Sequence, residues 1–305
     1  MTGNIRVIEE KLKASYLAEY KFLHAPQDRL NYCLQKEKEA GEPGLGHYAL
    51  YFQGMAKWWK KDYSGAMESF NKALGIKEDF SYPYNGIGDT FWAQRKYQEA
   101  VQAYQKAIEL DNTCIYPFYG MSRAYFGLKQ YDDAIEACQH AMELDPEYAY
   151  PWHNLGLTYC AQKRYEESLQ AFQKAIDIEM EELGEEFAAP YRGIGDVYFT
   201  QGEYDKAIEA YIKGIEIDDD FPFFYHGLGD VYFAQERYNE AVIVYKKAIS
   251  IEDSFLPSLI GLGNSYYEQK NYKDAIRVYS SILKIDESIA GIKDKLASAY
   301  KKVED

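Results

Sequence analysis

The chain has 305 residues, 47% of them hydrophobic, and a formal net charge of −15, because 49 acidic side chains outnumber 34 basic ones. This apolar content excludes a wholly disordered chain. The acidic surplus argues against nucleic acid and anionic membranes, which need Lys and Arg to neutralise phosphate, and it favours a partner with a basic segment.

Residues 1–46 predict a divergent helical hairpin that caps the N-terminus. They begin MTGNIRVIEEKLK, which lacks the apolar core of a secretion signal. Pro26 precedes a second, polar helix that runs to Ala40 and is closed by Gly41. No run of about 18 apolar residues predicts a membrane span, so we expect a cytoplasmic protein. The apolar face of the first helix consists of Ile5, Ile8, Leu12, Tyr16, Tyr20 and Leu23.

A tyrosine then recurs along the chain, and all but one of its steps are 34 residues. A small residue follows each tyrosine by three positions, and a bulkier one follows four positions later. Self-similarity at this period is typical of a solenoid. Within one period, apolar residues at three- and four-residue steps predict two helices. The recurring tyrosines are Tyr63, Tyr97, Tyr131, Tyr165, Tyr204, Tyr238 and Tyr272.

The fourth period carries the most specific motif. Residues 152–159, WHNLGLTY, fit the pattern W-x2-L-G-x2-Y, and Ser168 and Phe172 take the places of the A-x3-F pair. These residues resemble the tetratricopeptide repeat family, whose unit is a helix–turn–helix of 34 residues. The resemblance implies an all-α fold, a right-handed α-solenoid of seven repeats within residues 47–287. The repeats are predicted at about 47–80, 81–114, 115–148, 149–187, 188–221, 222–255 and 256–289.

One step of the lattice is 39 residues long. The five extra residues lie within residues 179–187, which hold five glutamates. One interpretation is a lengthened second helix that ends at Gly184 and has a solvated acidic face. The alternative is a hinge or an acidic docking point that divides the array into four and three repeats.

Residues 288–305 predict a helix that caps the C-terminus. Leu296, Ala297 and Tyr300 fit the register of a first helix, and the other positions of 288–303 are rich in Lys and Asp. A solvated end helix needs that composition, because terminal units of a solenoid have one face without a neighbour.

The sequence offers no set of residues for catalysis. The four cysteines, Cys33, Cys114, Cys138 and Cys160, form no CxxC motif and no cluster with histidine at metal-ligand spacing, so we expect reduced, buried or half-buried thiols. Nucleotide-binding, zinc-protease and serine-hydrolase motifs are all missing. We therefore expect no enzymatic activity, no cofactor and no metal site.

Places are numbered from the first residue of each repeat, so that residue 47 is the first place of the first repeat. On this lattice the 31 tyrosines fall into two main groups. Nineteen occupy consensus apolar places and are predicted to be core. Seven others lie at the second, fifth or twelfth places of first helices and are predicted to face a groove. These are Tyr48, Tyr51, Tyr82, Tyr116, Tyr119, Tyr150 and Tyr267.

The family resemblance implies that the second, fifth, ninth and twelfth places of the first helices line an inner, concave groove. We expect the fifth and ninth places to be exposed there, and small sixth-place residues, mostly glycine, to leave the floor open. Whether the twelfth-place aromatics face the groove or pack against a neighbouring helix stays open. The predicted partner-binding residues are Tyr51, Met55, Asn85, Asp89, Tyr119, Arg123, His153, Arg192, Asp196, His226, Asp230 and Asn264.

These residue types predict a protein- or peptide-binding scaffold or adaptor. Aromatics, Met and Arg dominate binding hot spots, and Asp89, Asp196 and Asp230 would receive Lys or Arg of a basic or apolar partner segment. No lysine occupies a fifth or ninth place, which argues against the clamp that some family members use for chaperone tails. The alternatives are a self-assembling scaffold that forms homo-oligomers and, against the charge, an RNA-binding repeat protein.

Overall fold

The computed structural model describes residues 26–40, 44–184 and 188–304, and these form α-helices without any strand. The predicted helix with Ile5 and Leu23 on its apolar face lies outside the described residues. The helices are α1 Pro26–Glu39, α2 Gly46–Trp59, α3 Tyr63–Ile76, α4 Ser81–Ala93, α5 Tyr97–Leu110, α6 Ile115–Gly127, α7 Tyr131–Leu144, α8 Ala149–Ala161, α9 Tyr165–Leu183, α10 Ala188–Thr200, α11 Tyr204–Ile217, α12 Pro222–Ala234, α13 Tyr238–Ile251, α14 Leu256–Glu268, α15 Tyr272–Ile285 and α16 Ile292–Glu304.

The helices pack in sequential antiparallel pairs, the arrangement of an all-α repeat solenoid. The first helix of a repeat packs on its own second helix, as α2 does on α3, and that second helix packs on the next first helix, α4. Contacts are therefore confined to near neighbours, as expected for a stack of repeats. The chain divides into two compact units, Met1–Gln162 (unit 1) and Lys163–Asp305 (unit 2).

A single left-handed residue reverses the chain between the two helices of each repeat. Lys129 between α6 and α7 has φ of 61°, and its neighbour Gln130 donates its N–H to the carbonyl of Tyr125 at 2.9 Å. Only glycine adopts this conformation without steric cost, yet glycine occupies this place in one repeat alone, at Gly202. The other repeats place Lys61, Arg95, Lys163, Glu236 and Lys270 there.

In six of the seven repeats the twenty-fourth place is an aromatic ring in the core, and four of these rings lie between two glycines. Tyr104 of α5 is fully buried, and a Cβ atom on either Gly88 or Gly120 would lie 2.5 Å from its ring. The prediction that sixth-place glycines leave the groove floor open is wrong. The ring of the preceding repeat fills that space, as Phe70 does at Gly86 and Tyr211 does at Gly227.

The five-residue insertion lengthens α9, which has 19 residues. Gly184 ends this helix in the left-handed conformation with φ of 66°, so the interpretation of a lengthened second helix is confirmed. The acidic face is solvated only in part, because Glu181 is exposed whereas Glu179 is buried.

The C-terminal helix keeps the 34-residue register but begins later than predicted, since its buried Ile292 and Ala299 lie 34 residues after the buried Ser258 and Ser265. α16 begins at Ile292, after the left-handed Gly291, and not at residue 288. Its buried residues are Ile292 and Ala299, which belong to the face that packs on α15. The predicted residues Ala297 and Tyr300 are exposed because, within the described residues, no second helix follows to cover their face.

Candidate functional site

A groove of about 480 Å³ lies across the first helices of unit 1, α2, α4, α6 and α8. Each of these helices contributes side chains, so the groove spans four successive repeats. Half of the twelve predicted partner-binding residues line it, namely Met55, Asn85, Asp89, Tyr119, Arg123 and His153. Further aromatic side chains complete its wall, namely Trp58, Trp59, Trp92, Tyr116, Phe126 and Tyr148.

Arg123 is the cation of this groove. Its guanidinium carbon lies 3.5 Å from the centroid of the Trp92 ring and 5.4 Å from that of Tyr119. Burial acts to lower the pKa of Arg123, but the neighbouring Tyr119, Tyr104 and Asp89 outweigh that effect and raise it. The guanidinium therefore stays charged while it stacks on an indole face, a favourable geometry for a cation–π contact.

Two polar atoms on the groove residues have no hydrogen-bond partner within the described residues. These are the carbonyl oxygen Oδ1 of Asn85 and the indole Nε1 of Trp58. The other end of the Asn85 amide donates to Asp89 Oδ2 at 3.4 Å. A buried polar atom without a partner is costly in a folded protein, so these two atoms lower the stability of the groove wall.

In unit 2, each ninth-place aspartate accepts a hydrogen bond from a buried tyrosine. The hydroxyl of Tyr211 donates to Asp196 at 2.6 Å, and that of Tyr245 donates to Asp230 at 2.5 Å. Burial, followed by the adjacent carboxylate, raises the pKa of both tyrosines above the ordinary value of 10.0. Each tyrosine is thus a neutral donor that fixes the orientation of one carboxylate.

The two aspartates of unit 2 differ in the cation beside them. Arg192 lies 3.6 Å from Asp196 and also stacks at 4.4 Å on the Phe223 ring. Burial raises the pKa of Asp196, against the Tyr211 hydrogen bond and the charge of Arg192. His226 lies 3.5 Å from Asp230, and burial lowers the pKa of His226 below 6.5 although both aspartates raise it.

The last repeat shows the same arrangement with an amide in place of the carboxylate. Asn264 Oδ1 accepts from the hydroxyl of Tyr279 at 3.0 Å and from the ammonium Nζ of Lys295 at 2.7 Å. Lys295 lies on α16, and Ser298 on the same helix hydrogen-bonds the hydroxyl of Tyr267 at 2.8 Å. These residues line a second groove of about 500 Å³ within unit 2.

A pairing rule connects the ninth and twenty-fourth places in all seven repeats. Where the ninth residue is Asp or Asn, the twenty-fourth is Tyr; where the ninth is Met, Arg or Leu, the twenty-fourth is Phe or Cys. Sequence reasoning treated these tyrosines as core only and missed their hydroxyls, although the rule can be read from the sequence. The pairs are Met55/Phe70, Asp89/Tyr104, Arg123/Cys138, Leu157/Phe172, Asp196/Tyr211, Asp230/Tyr245 and Asn264/Tyr279.

The third repeat replaces the ring and its two glycines together. Cys138 stands in place of the ring, and Ser122 and Asn154 stand in place of the glycines. The Asn154 amide donates to Ser122 Oγ at 2.8 Å and to Cys138 Sγ at 3.7 Å, and all three residues are buried. Burial raises the pKa of the Cys138 thiol to about 11, so this cysteine is an unreactive packing residue.

Four of the seven predicted groove tyrosines are buried, although one of these, Tyr116, still lines the groove. Tyr51 is fully buried, and Tyr48, Tyr82 and Tyr116 are also buried. Tyr48 and Tyr82 pack around Phe80, which leads into α4, with ring centroids 4.7 and 5.4 Å from it. Stacking between successive first helices therefore covers these rings. Tyr119, Tyr150 and Tyr267 are half-buried.

Exposure at the fifth and ninth places also differs from the expectation. Met55 and Asn85 are buried although they line the groove, and Tyr51 does not line it. The half-buried residues are Asp89, Tyr119, Arg123, His153, Arg192, Asp196, His226, Asp230 and Asn264. Most of the predicted set therefore keeps some surface that a partner could reach.

The twelfth-place residues combine the two interpretations that the sequence left open. All seven are half-buried. Five of them pack against the tyrosine that begins their own second helix, as Phe233 does on Tyr238 at 5.4 Å between ring centroids. The other four pairs are Trp58/Tyr63, Phe126/Tyr131, Phe199/Tyr204 and Tyr267/Tyr272.

Family models described as tetratricopeptide repeat match this lattice of paired helices. They cover residues 47–80, 91–155, 147–220, 222–255 and 258–286. The chain belongs to the tetratricopeptide repeat family. Tetratricopeptide repeat proteins bind protein or peptide partners and are typically non-catalytic scaffolds, and the fold of this chain supports a protein-interaction scaffold in general.

Several solved structures share the fold at low sequence identity. A chain of the APC/C hetero-tetramer Cut9-Hcn1 is 16% identical with a TM-score of 0.68, over 79% of this chain and 47% of that one. Yeast Tom70 is 19% identical with a TM-score of 0.65, over 91% and 58%. A tetratricopeptide repeat protein from Parabacteroides merdae is 18% identical with a TM-score of 0.64, over 84% and 100%.

The present chain therefore spans about half the length of the Cut9-Hcn1 chain and more than half of Tom70. No curated protein sequence gives a significant match. Among the described residues, no helix is long and apolar enough to cross a membrane. The same residues contain no group of three His, Cys, Asp or Glu side chains placed to hold a metal ion.

Proposed function

We propose that this tetratricopeptide repeat protein is a non-enzymatic scaffold or adaptor, and that the unit 1 groove binds a peptide segment of a partner protein. The observation that carries the proposal is the groove of about 480 Å³ across four first helices, lined by seven aromatic side chains. A cleft of that size takes a few side chains of a peptide.

The chemistry of the groove favours apolar and aromatic anchors on the partner. Trp58, Trp59 and Trp92 are half-buried, so their rings offer apolar surface that is already held in place. Rigid aromatic side chains lose little conformational entropy on binding and dominate hot spots.

Basic residues on the partner belong to the same proposal. The repeats hold 42 acidic and 27 basic side chains by count from residue 47 onward. Asp196 and Asp230 of unit 2 are half-buried carboxylates held in orientation by tyrosine hydroxyls. Such a surface attracts a cationic segment over long range and sets its register at short range.

Selection from a phage-displayed library of random peptides tests the groove. A peptide selected on the wild type should bind a Tyr119→Ala/Arg123→Glu variant at least about tenfold more weakly, since hot-spot truncations cost this much or more. Tyr300→Ala, which truncates an exposed tyrosine of α16, is the matched control and should bind normally. Equal affinity of the groove variant and the control would contradict the proposal.

The remaining features of the proposal are a lack of catalysis and a cytoplasmic setting. Cys33, Cys114 and Cys138 are buried in the core as thiols, which suits a reducing compartment.

Self-association is a second candidate function. Tyr300 and Val303 are half exposed on α16, at 50% and 44%, and give this helix an apolar outer face. Light scattering at increasing concentration tests it, because a constant monomer mass would exclude the candidate.

A further inference from the structure

We infer that Asp230 is the subsite at which unit 2 receives a primary ammonium group, the side chain of a partner lysine. The inference rests on the proposed function in one respect, that the lysine belongs to a partner polypeptide. The ammonium subsite itself is defined by residues of α12 and α13 within unit 2 and is independent of the unit 1 groove.

An equivalent contact, between an ammonium group and a ninth-place oxygen, occurs within the chain one repeat further on. Lys295 of α16 donates from Nζ to Asn264 Oδ1 at 2.7 Å, while the hydroxyl of Tyr279 donates to the same oxygen at 3.0 Å. The ninth-place oxygen of the last repeat thus binds an ammonium group with a buried tyrosine behind it. A carboxylate in that place would bind the same cation more strongly, because charge-assisted hydrogen bonds are about twice as strong as neutral ones.

Asp230 is that carboxylate. It occupies the same ninth place, 34 residues before Asn264, and Tyr245 donates to it at 2.5 Å as Tyr279 does to Asn264. Its side chain keeps 39% of its surface exposed, so a partner group can reach it. Among the described residues, no Lys or Arg forms an ion pair with it, and His226 is the only titratable base at 3.5 Å.

Among the described residues, no lysine is placed at Asp230 as Lys295 is placed at Asn264. The position that corresponds to Lys295 is Gly261, which lies 34 residues earlier. A Cβ atom at Gly261 would lie 2.4 Å from the Tyr245 ring, so no longer side chain fits there. The arrangement of the last repeat is therefore closed to Asp230, and we assign the cation to another molecule.

The other carboxylates of this type already have a cation. Asp196 has Arg192 at 3.6 Å. Asp89 raises the pKa of Arg123, whose guanidinium stacks on Trp92 in the unit 1 groove. Asp230 alone has only an imidazole beside it, and burial keeps the pKa of that imidazole below 6.5.

The charge balance around Asp230 agrees with this assignment. The titratable groups that face the site are Arg192 and Asp196 from α10, Tyr211 from α11, His226 and Asp230 from α12, and Tyr245 from α13. With His226 neutral, two carboxylates face one guanidinium and the site has a net charge of −1. One ammonium group neutralises it.

Titration with Nα-acetyl-L-lysine methylamide at low salt tests the subsite, with the imidazole NMR signals of His226 as the reporter. Wild-type protein should give a saturable shift of these signals. The neutral isostere Nα-acetyl-L-norleucine methylamide should give none. Asp230→Asn should weaken lysine binding at least about tenfold, and Asp253→Asn, which changes an exposed turn aspartate, should leave it unchanged.

Asp230→Asn should keep the fold, because it recreates the Asn264/Tyr279 pair that the last repeat already contains. The lysine that Asn264 holds is intramolecular, so a weak acceptor suffices there, whereas a lysine from solution needs the carboxylate. Equal binding by Asp230→Asn, or no saturable shift in the wild type, would overturn the inference. The phage-selected peptide would still bind the unit 1 groove in that case, so this failure is distinct from failure of the proposed function.

Discussion

The first helices of the two units carry different chemistry on the same lattice. In unit 1 the ninth places are Met55, Asp89, Arg123 and Leu157, and the surrounding side chains are mostly aromatic. In unit 2 the ninth places are all Asp or Asn, and each is hydrogen-bonded by a buried tyrosine. Repeats of the same fold thus present an apolar groove in one unit and a row of oriented oxygen atoms in the other.

The difference teaches that the groove and the core of a repeat are set together. A groove carboxylate at the ninth place is accompanied by a core tyrosine at the twenty-fourth, because the hydroxyl gains an acceptor and the carboxylate gains a donor. The third repeat gives up the ring, and its ninth place becomes Arg123. Substitutions at these two places can therefore break or extend the coupling.

The largest effect is expected at Tyr104, when the second repeat is converted toward the third. Tyr104→Cys alone should lower the free energy of unfolding by about 3–5 kcal/mol, because it leaves a cavity between Gly88 and Gly120. Adding Gly88→Ser and Gly120→Asn recreates the Ser122, Cys138 and Asn154 set and should recover part of the loss. Guanidinium denaturation measures both steps.

A triple variant less stable than Tyr104→Cys would show that the polar set of the third repeat depends on its surroundings and cannot be transferred. The single variants Gly88→Ser and Gly120→Asn are the controls. Both should be destabilised beside the intact ring, since their Cβ atoms would lie 2.5 Å from it.

The second prediction introduces a Tyr–Asp pair into the first repeat of unit 1. Phe70→Tyr buries a hydroxyl with no carboxylate at Met55, so it should cost about 1–3 kcal/mol of unfolding free energy. Met55→Asp should also destabilise the fold, because it buries a charge. The double variant should be more stable than the sum of the two losses predicts, and a double-mutant cycle measures that coupling.

Additive losses would contradict the rule that links the ninth and twenty-fourth places. The matched control is Phe172→Tyr in the fourth repeat with Leu157 unchanged. The ninth place of that repeat is equally apolar, so the new hydroxyl has no carboxylate there.

Sequence reasoning identified the architecture and its period because they rest on residues that repeat in every copy. Tyr63 and its six equivalents set the 34-residue step, and the helices that begin at those seven tyrosines confirm it. The lengthened α9 was one of two interpretations, and Gly184 ended it where the sequence suggested. Features shared by all repeats are overdetermined, so single-sequence reasoning suffices for them.

Side-chain exposure could not be obtained in the same way. The place number of Tyr51 predicts a groove residue, but the ring turns into the stack with Phe52 and Phe80, and the sequence does not show which side of a helix a large ring will choose. Likewise the start of α16 depends on the left-handed Gly291, and the exposure of its outer face depends on the lack of a following helix among the described residues. Such details depend on packing between specific neighbours.

The third prediction uses pH to separate the units, because unit 2 contains His226 beside Asp230. The pKa of His226 is lowered below 6.5 by burial, so the unfolded chain binds a proton more readily than the folded one. Stability should therefore decrease as pH falls below 6.5, and a His226→Gln variant should decrease less. The raised pKa of Asp196 acts in the opposite direction at lower pH.

Thermal unfolding from pH 7.5 to 5 with both proteins checks this, together with hydrogen exchange of the α12 amides. If the unfolding temperatures of wild type and His226→Gln follow parallel curves against pH, burial of His226 has no effect on the pH dependence of stability. The assignment of a neutral imidazole beside Asp230 would then be wrong.

The smallest expected effect compares the turns inside the repeats. Lys129 of unit 1 has φ of 61°, whereas unit 2 has Gly202 with φ of 77° at the equivalent place. Lys129→Gly should raise the free energy of unfolding by about 0.5–1 kcal/mol, since glycine removes the steric cost of the left-handed conformation and only part of that gain is offset by its greater unfolded-state entropy. Gly202→Lys should lower it by a similar amount, and chemical denaturation resolves both changes.

Gly75→Lys, in α3 with an open environment around its Cα, controls for added charge. Opposite signs at residues 129 and 202 are required, because the two turns share one geometry. Five of the seven repeats have Lys or Arg at this place. If neither variant shifts the unfolding midpoint, these side chains cause no steric strain in the left-handed conformation. Their presence in place of glycine then needs no compensating role in binding.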